Sequence, residues 1–476
     1  MLPFLNTIEE LREAAKEWSV DPKAELWKLP ASHVGEYAEQ DAAVTLRLWH
    51  HLRKEITANN LLNIFELETD LFPVLFDMKQ KGVRVDLDKA EKIKNDLWNQ
   101  EKKLRKEIQK LSGHFVEVWS AASVAKAFDA LKIKYDRTPT GQPKFDKNFL
   151  STHDSPLAKM VVNEREINKA RTTFIDTIVK HSHRGRIHAE IHQMRSDDGG
   201  TVTGRFSYSN PNLQQIPARH AILGPLIRSI FIPEKDCEWG IFDYSQQEPR
   251  LVAHYALRYG LPSVNTIADS YATDSSTDFH KIVAEMAEIP RSQAKVINLG
   301  LFYGMGKAKL QAELGVSKFK AEELFDKYHS RVPFVKQLMN EVMNAAANKG
   351  QIKTLLGRRC RFPKYEPILR GSDWGKYIPP EDEERMQDLQ KMGPYLKDDE
   401  DEVLKDKDGN PKKNYWHNNP TRRAFTYKAL NKLIQGSAAD MTKKAMVELH
   451  KEGITPHIQV HDELDISVSD NADKIK

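Results

Sequence analysis

Ile458-Gln459-Val460-His461-Asp462-Glu463-Leu464-Asp465-Ile466-Ser467-Val468 reads as two β-rich runs around a polar tip. The pattern predicts a hairpin that presents Asp462 and Glu463 at its turn. A second stretch answers it: Phe242-Asp243-Tyr244-Ser245-Gln246-Gln247-Glu248-Pro249-Arg250. Trp239, Ile241 and Phe242 read as a strand end, and Pro249 suits the first turn of a following helix. Clustered carboxylates are costly unless they meet a cation. A strand-end Asp243 beside a hairpin-tip Asp462 makes an all-oxygen site suited to magnesium. Two such ions about 3.5–4 Å apart can stabilise the attacking and leaving oxygens of a phosphoryl transfer. Taken singly, each aspartate reads equally well as a cap or turn residue.

A third stretch runs from Arg291 to Gly304 and sets Arg291, Lys295, Leu299 and Tyr303 at four-residue intervals. On a helix this spacing stacks the four side chains on one face, with Gly304 able to end the helix. Two cations a turn apart suit a polyphosphate, and the apolar and aromatic groups suit a flat base beside it. Alone, the face reads equally well as an amphipathic helix with solvated cations. The two acidic stretches tip the balance toward nucleotide chemistry.

Composition narrows the class. The 476 residues exceed one domain's usual size. Hydrophobic residues at 40% and charged residues at 29% fit a soluble globular chain. A net charge of +4 neither demands nor excludes nucleic acid. Cys237 and Cys360 are too few for a disulfide scaffold or a cysteine-based zinc site, which fits a reducing, cytoplasmic setting. No membrane span or secretory leader stands out.

The three stretches resemble motifs A, B and C of the family A (bacterial polymerase I-like) DNA polymerases, also carried by many phages. Thr203-Gly204-Arg205-Phe206-Ser207 and Pro211-Asn212-Leu213-Gln214-Gln215-Ile216-Pro217 resemble the family's primer-template contact segment. Gly357-Arg358-Arg359-Cys360-Arg361 resembles its fingers loop. The run Asn431 to Asp440, through Gln435 and Gly436, resembles the segment between fingers and palm. The resemblance covers the chain from about residue 60 onward.

It implies an α+β, right-hand architecture: an antiparallel-sheet palm with helical fingers and thumb, preceded by the C-terminal remnant of an α/β exonuclease domain. The implied boundaries are 1–58 for the remnant, 59–180 for the thumb and leading helices and 181–260 for the motif A palm. Residues 261–436 would form the fingers with a polar insertion at 364–420, and 437–476 the motif C palm, cut short at its end. Within 1–58, Tyr37 and Asp41 lie one helical turn apart and resemble the third exonuclease motif. One carboxylate does not make a two-metal site, so no exonuclease activity is expected from this chain.

The implied roles follow the motifs. Asp243 and Asp462, with the Tyr244 carbonyl, would hold two Mg2+ ions, and Glu463 would assist as the more dispensable acid. Arg291 and Lys295 would grip the triphosphate, His280 would add a donor or simply pack, and Leu299 and Tyr303 would meet sugar and base. Glu248 would block a ribose 2′-hydroxyl and pair with Tyr303. Gln246, Arg205, Asn212, Gln214, Asn431, Gln435 and His461 would line the primer-template and its terminus. The implied partners are primer-template DNA and deoxyribonucleoside triphosphates; the chain is expected to act as a monomer, with any processivity partner unspecified.

Departures from the family pattern are informative. Leu299 stands where the family usually has Phe or Tyr, and a leucine there resembles environmental phage polymerases, which points to a viral origin. Tyr427 stands where many relatives have Arg, leaving Arg422 or Arg423 as a substitute. Lys102, Lys103, Arg105, Lys106 and Lys110 would meet phosphate or form a solvated face. Gly82 to Asp86 reads as a helix break, residues 136–146 as a loop, and the acidic insertion as solvated surface with a hairpin near Gly409. Two alternatives stand beside the polymerase reading: a non-catalytic primer-template binding fragment, and a single-subunit RNA polymerase, against which Glu248 and the Pro211–Pro217 segment argue.

Overall fold

Strand Glu238–Asp243 runs antiparallel to strand Glu463–Val468, which in turn pairs with strand Ile458–Val460. The register sets Asp243 opposite Glu463, Ile241 opposite Asp465 and Trp239 opposite Ser467. Because strand side chains alternate, all six share one face. Leu464, Ile466 and Val468 take the other face and are buried. The acid-bearing face is open at Ile241, which is 58% exposed. The structure, a computed structural model, describes residues 4–194, 201–217, 220–262, 264–274, 276–302 and 307–469.

A second sheet orders Ser182–His183, Arg186–Ile187, Val83–Val85 and Phe231–Ile232. Its third strand is the stretch expected only to break a helix. Gly82 supplies the entry: at φ +61°, a Cβ there would lie 2.7 Å from the Ile187 carbonyl oxygen. The His457 Nδ1 hydrogen-bonds the Gly82 carbonyl at 3.0 Å, while its Nε2 meets the Ser467 hydroxyl at 2.8 Å. That one imidazole ties the second sheet to the acid-bearing sheet.

Asp86 caps the long helix Leu87–Ser112 by accepting from the Lys89 N–H at 2.9 Å. Lys102, Lys103, Lys106 and Lys110 lie on its exposed side. Arg105 does not join them. It turns inward to Glu101 at 2.5 Å and Glu164 at 2.7 Å, two carboxylates with no exposed surface. Burial pushes the Glu164 carboxyl up, and Arg105 only partly offsets it. Arg105 is therefore a structural ion-pair partner rather than a phosphate contact, since withdrawing it would strand buried charge. Residues 136–146 carry a short hairpin, Asp136–Arg137 against Pro143–Lys144.

Between 261 and 360 the described residues are mostly helical, as expected, and end in a hairpin of Gln351–Lys353 against Arg359–Arg361. Helices Gln247–Arg258, Phe279–Ala287, Lys318–Arg331, Pro333–Lys349 and Ala429–Lys451 share one core around Phe279, Tyr328 and Phe334. The insertion is closed at its base by strand Tyr365–Pro367 against Thr421–Arg423. It has its own small core of Met386, Leu389 and Trp416. A hairpin does form near Gly409, whose N–H donates to the Asp406 carbonyl, and the acidic runs are mostly exposed.

The chain divides into two compact units, Met1–Thr69 and Asp70–Lys476. In the first, Tyr37 packs on a small core of Leu11, Ala14, Ala15 and Leu29, and Asp41 is exposed one turn further along helix Ala31–Ala58. Among the described residues no helix is long and apolar enough to cross a membrane.

Candidate active site

Asp243 ends its strand directly opposite Glu463, and the two-residue turn His461–Asp462 closes the neighbouring hairpin. His461 takes φ +59°, which lets so short a turn close. The Tyr244 N–H donates to the Asp462 carbonyl at 3.4 Å, so the backbones of the two acidic motifs run side by side. Burial, then the charges of Asp462 and Glu463, push the Asp243 carboxyl up to about 6. Among the described residues no lysine or arginine pairs with Asp243, Asp462 or Glu463. The strand end thus gathers carboxylates in mutual repulsion, the condition a divalent cation relieves. Among the described residues no three such side chains form a ready-made ligand cluster. Two carboxylates and a carbonyl fit magnesium, which commonly completes its shell with water and substrate phosphate oxygens.

The same sheet face holds a group that the motif reading passed over. Burial first, then Glu463, push Asp465 up to about 7, with Arg228 opposing. Its Oδ1 is buried with no partner among the described residues. Asp465 and Arg228 line a cavity of about 100 Å³ with Leu213, Ile216, Phe231 and Trp239.

The cationic helix is Arg291–Phe302. Arg291 and Lys295 are exposed on it and Leu299 is half-buried, while Ala294, Ile297 and Asn298 face the core. Tyr303 and Gly304 lie outside the described residues. Arg291 donates from Nε at 2.8 Å and Nη2 at 2.5 Å to Asp278, the capping residue of helix Phe279–Ala287. Burial acts to raise the Asp278 carboxyl, but the Arg291 bonds and the Lys281 N–H prevail and hold it low. His280 is buried, with Nδ1 3.0 Å from the Asn298 amide, and burial depresses its pKa to about 4. In this structure it is a packed, neutral imidazole.

Gln246 and Glu248 diverge. Gln246 adopts φ +54° at the start of helix Gln247–Arg258, and its amide is spent on neighbouring chain. It donates to the Thr277 carbonyl at 2.6 Å and accepts from the Phe279 N–H at 2.8 Å, tying motif A to the Asp278 cap. Glu248 instead accepts from Arg205 Nη2 at 2.5 Å.

Three of the expected DNA contacts, Arg205, Gln214 and His461, gather beside the hairpin. Asn212 caps the turn Leu213–Gln215, and the Gln214 amide reaches Gln459 at 3.1 Å. Arg205, Gln214, Gln459 and His461 line one small cleft. Asn431 and Gln435 form a half-buried stripe one turn apart on Ala429–Lys451, flanked by buried Leu430, Leu433, Ile434 and Gly436. Close packing explains Gly436, where a Cβ would meet the Thr354 methyl at 2.8 Å.

An unforeseen buried network lies behind them. Asp440, fully buried, accepts from Arg358 Nε at 2.7 Å and from the Thr354 hydroxyl at 2.5 Å. Burial raises its pKa against the pull of Arg358. The signal was present: an aspartate ending the small-residue run Gly436 to Ala439 needs a buried partner. Arg423 donates to the carbonyls of Ala347 and Phe362, while the largely exposed Arg422 pairs with Glu366.

Comparison with known proteins supplies the class. The polymerase domain of Pol1 from M. smegmatis, solved in complex with DNA primer-template and dNTP, matches with a TM-score of 0.68 at 24% identity. The match covers 90% of this chain and 69% of that one, which shows a right-hand polymerase fold. A DNA-directed DNA polymerase of Pseudomonas phage M6 is 34% identical over 97% of this chain and 69% of its own length. DNA polymerase I of Pseudomonas aeruginosa is 29% identical over 93% of this chain, which spans 44% of that protein. The family model for DNA polymerase family A matches residues 87–475.

The chain belongs to DNA polymerase family A and is a DNA-directed DNA polymerase with phage relatives.

Proposed function

We propose that this chain extends a primer 3′-hydroxyl with deoxyribonucleoside triphosphates at the Asp243–Asp462 edge, in phage DNA replication. Family A DNA polymerases generally use divalent metal ions. Asp243, Asp462 and the Tyr244 carbonyl would hold two magnesium ions, which when bound acidify the primer hydroxyl and neutralise the triphosphate and departing pyrophosphate. Glu463, paired in register with Asp243, adds negative potential that favours the cations. Arg291 and Lys295 receive the triphosphate from the other side and stabilise charge moving to the leaving group. Leu299 and Tyr303 meet sugar and base. Glu248 stands against the sugar and excludes a 2′-hydroxyl by bulk and by leaving it unpaired. His280 enters the phosphate site only on leaving its Asn298 contact, so packing is the better reading for it.

Arg205, Asn212, Gln214, Asn431, Gln435 and His461 follow the duplex and primer terminus, where minor-groove and backbone contacts are largely sequence-independent. Gln246 supports this set by fixing the chain next to Glu248. Residues 59–180 are assigned to the thumb and leading helices, 181–260 and 437–476 to the palm, and 261–436 to the fingers with the insertion at 364–420. Residues 1–58 are read as exonuclease-derived, with Asp41 offering one carboxylate.

The observation that carries the proposal is the strand register that brings Asp243, Glu463 and the Asp462 turn to one edge, with no paired cation among the described residues. Primer extension by the purified chain with magnesium tests it, using deoxy- or ribonucleotides alongside D243A and D462A. Extension that survives either substitution defeats the metal-site assignment. Salt-sensitive primer-template binding with no extension would instead favour a non-catalytic fragment.

A further inference from the structure

Arg205 and Glu248 stand 43 residues apart in sequence yet share an ion pair of 2.5 Å. Both are largely withdrawn from water, with side chains 22% and 13% exposed. A charge-assisted bond in such surroundings is among the stronger ones a protein makes. The two backbones beneath it are also held. On one side, Gln247 is buried and its amide donates to the Ala438 carbonyl at 3.3 Å, while Pro249 is buried in the same helical turn. On the other, the Arg205 carbonyl accepts from the Thr201 hydroxyl at 2.5 Å, and Phe206 is buried beneath Lys443. Arg205 also lines the cleft that holds Gln214, Gln459 and His461, next to the turn carrying Asp462. Its guanidinium therefore joins the cleft beside the catalytic turn to the carboxylate five residues beyond Asp243.

We propose that Arg205 is a specificity-determining positioning residue, whose guanidinium holds the Glu248 carboxylate where it excludes a ribose 2′-hydroxyl. This rests on the reading of Glu248 as the sugar gate and gives Arg205 a task beyond touching DNA. A glutamate in the first turn of a helix has three rotatable side-chain bonds. A steric gate works only if its tip is fixed to a fraction of an ångström. The Arg205 bond supplies that fixation, and its charge also keeps Glu248 from repelling an incoming triphosphate. Loss of Arg205 thus lets the carboxylate swing from the sugar edge and admits the larger sugar.

Single-nucleotide extension decides it, with kcat/KM measured for a deoxynucleotide and the matching ribonucleotide in the wild type, E248A, R205A, R205Q and R205A/E248A. The ribo-to-deoxy ratio cancels any general loss of DNA binding or stability. E248A is expected to raise the ratio, and R205A to raise it by roughly tenfold, a loss of one decade in discrimination. The double variant is expected to match E248A alone, because a gate already removed cannot be misplaced. R205Q keeps a hydrogen-bond donor but no charge, and is expected to fall between wild type and R205A. Should R205A prove inactive, R205Q alone still yields the ratio. A wild-type ratio in the arginine variants, or effects that multiply in the double variant, overturns the inference. An unchanged ratio in E248A defeats the gate reading itself, whereas a rise in E248A without one in R205A or R205Q defeats only the role of Arg205.

Discussion

The acid side and the cation side of this site are built differently. Asp243, Asp462 and Glu463 owe their meeting to strand register and a two-residue turn, so the backbone alone fixes their positions. Arg291 and Lys295 owe theirs to long side chains on an exposed helix face, and Arg291 is engaged by Asp278. A one-residue slip of register would send every acid to the opposite face, whereas a cation changes partner by rotating side-chain bonds. The acids are therefore pre-assembled, and the cations are exchangeable.

Removing an acid should do the most damage. D243A and D462A are each expected to lower kcat by on the order of 10³-fold or more, since metal-ion stabilisation contributes several kcal/mol. E463A should cost less, because its partner Asp243 remains. Single-turnover primer extension checks the ranking, and an E463A loss as deep as that of D243A would contradict it. On the other side, K295A is expected to cost roughly 10²-fold, the scale of losing one transition-state donor. If both acids and Lys295 cost alike, the distinction between the two sides has no energetic content.

How much of this was legible follows from the same contrast. The hairpin and the strand before Asp243 announce themselves by short β-rich runs, and pairing them follows once both carry acids. The helical face from Arg291 to Leu299 is likewise a matter of period. Gly82 to Asp86 was not legible as a strand, because its pairing to Arg186–Ile187 and Phe231–Ile232 is long-range and three residues carry little pattern. Arg105 resembles its lysine neighbours in sequence, and only the buried Glu101 and Glu164 distinguish it. Gln246 is polar beside an active site yet spends its amide on the Thr277–Phe279 backbone, a partnership set by tertiary approach. Asp440 could have been suspected from its small-residue surroundings, but Arg358 could not have been chosen from several nearby arginines.

Asp465 sharpens the comparison, because the same register that fixes Asp243 and Glu463 carries this carboxylate into a buried setting. Its folded pKa of about 7 lies above the ordinary aspartate value of 3.8. The folded chain therefore keeps a proton that the unfolded chain releases near pH 4. Stability conferred by that proton is present at low pH and is lost as pH rises toward 7, beyond which the loss levels off. D465N removes this dependence. It is expected to gain stability relative to wild type between pH 4 and 7, by on the order of 1–2 kcal/mol once relaxation and partial exposure are allowed for. Thermal midpoints of both proteins at pH 5 and pH 8 in a chelator test this, and parallel pH profiles would rule it out.

The smallest expected effect probes exchangeability directly. Asp278 has two tasks: it caps helix Phe279–Ala287 by accepting from the Lys281 N–H at 3.1 Å, and it holds Arg291. Asparagine caps about as well as aspartate but carries no charge. D278N should thus leave the helix intact while releasing Arg291 toward a bound triphosphate. Arg291 is half exposed, so its pair with Asp278 is worth roughly 0.2–1 kcal/mol. The KM for the incoming nucleotide is accordingly expected to fall by at most about fivefold, with kcat little changed. A rise in KM would mean that Asp278 presents Arg291 to substrate instead of competing for it, and the cation side would then be as pre-assembled as the acid side.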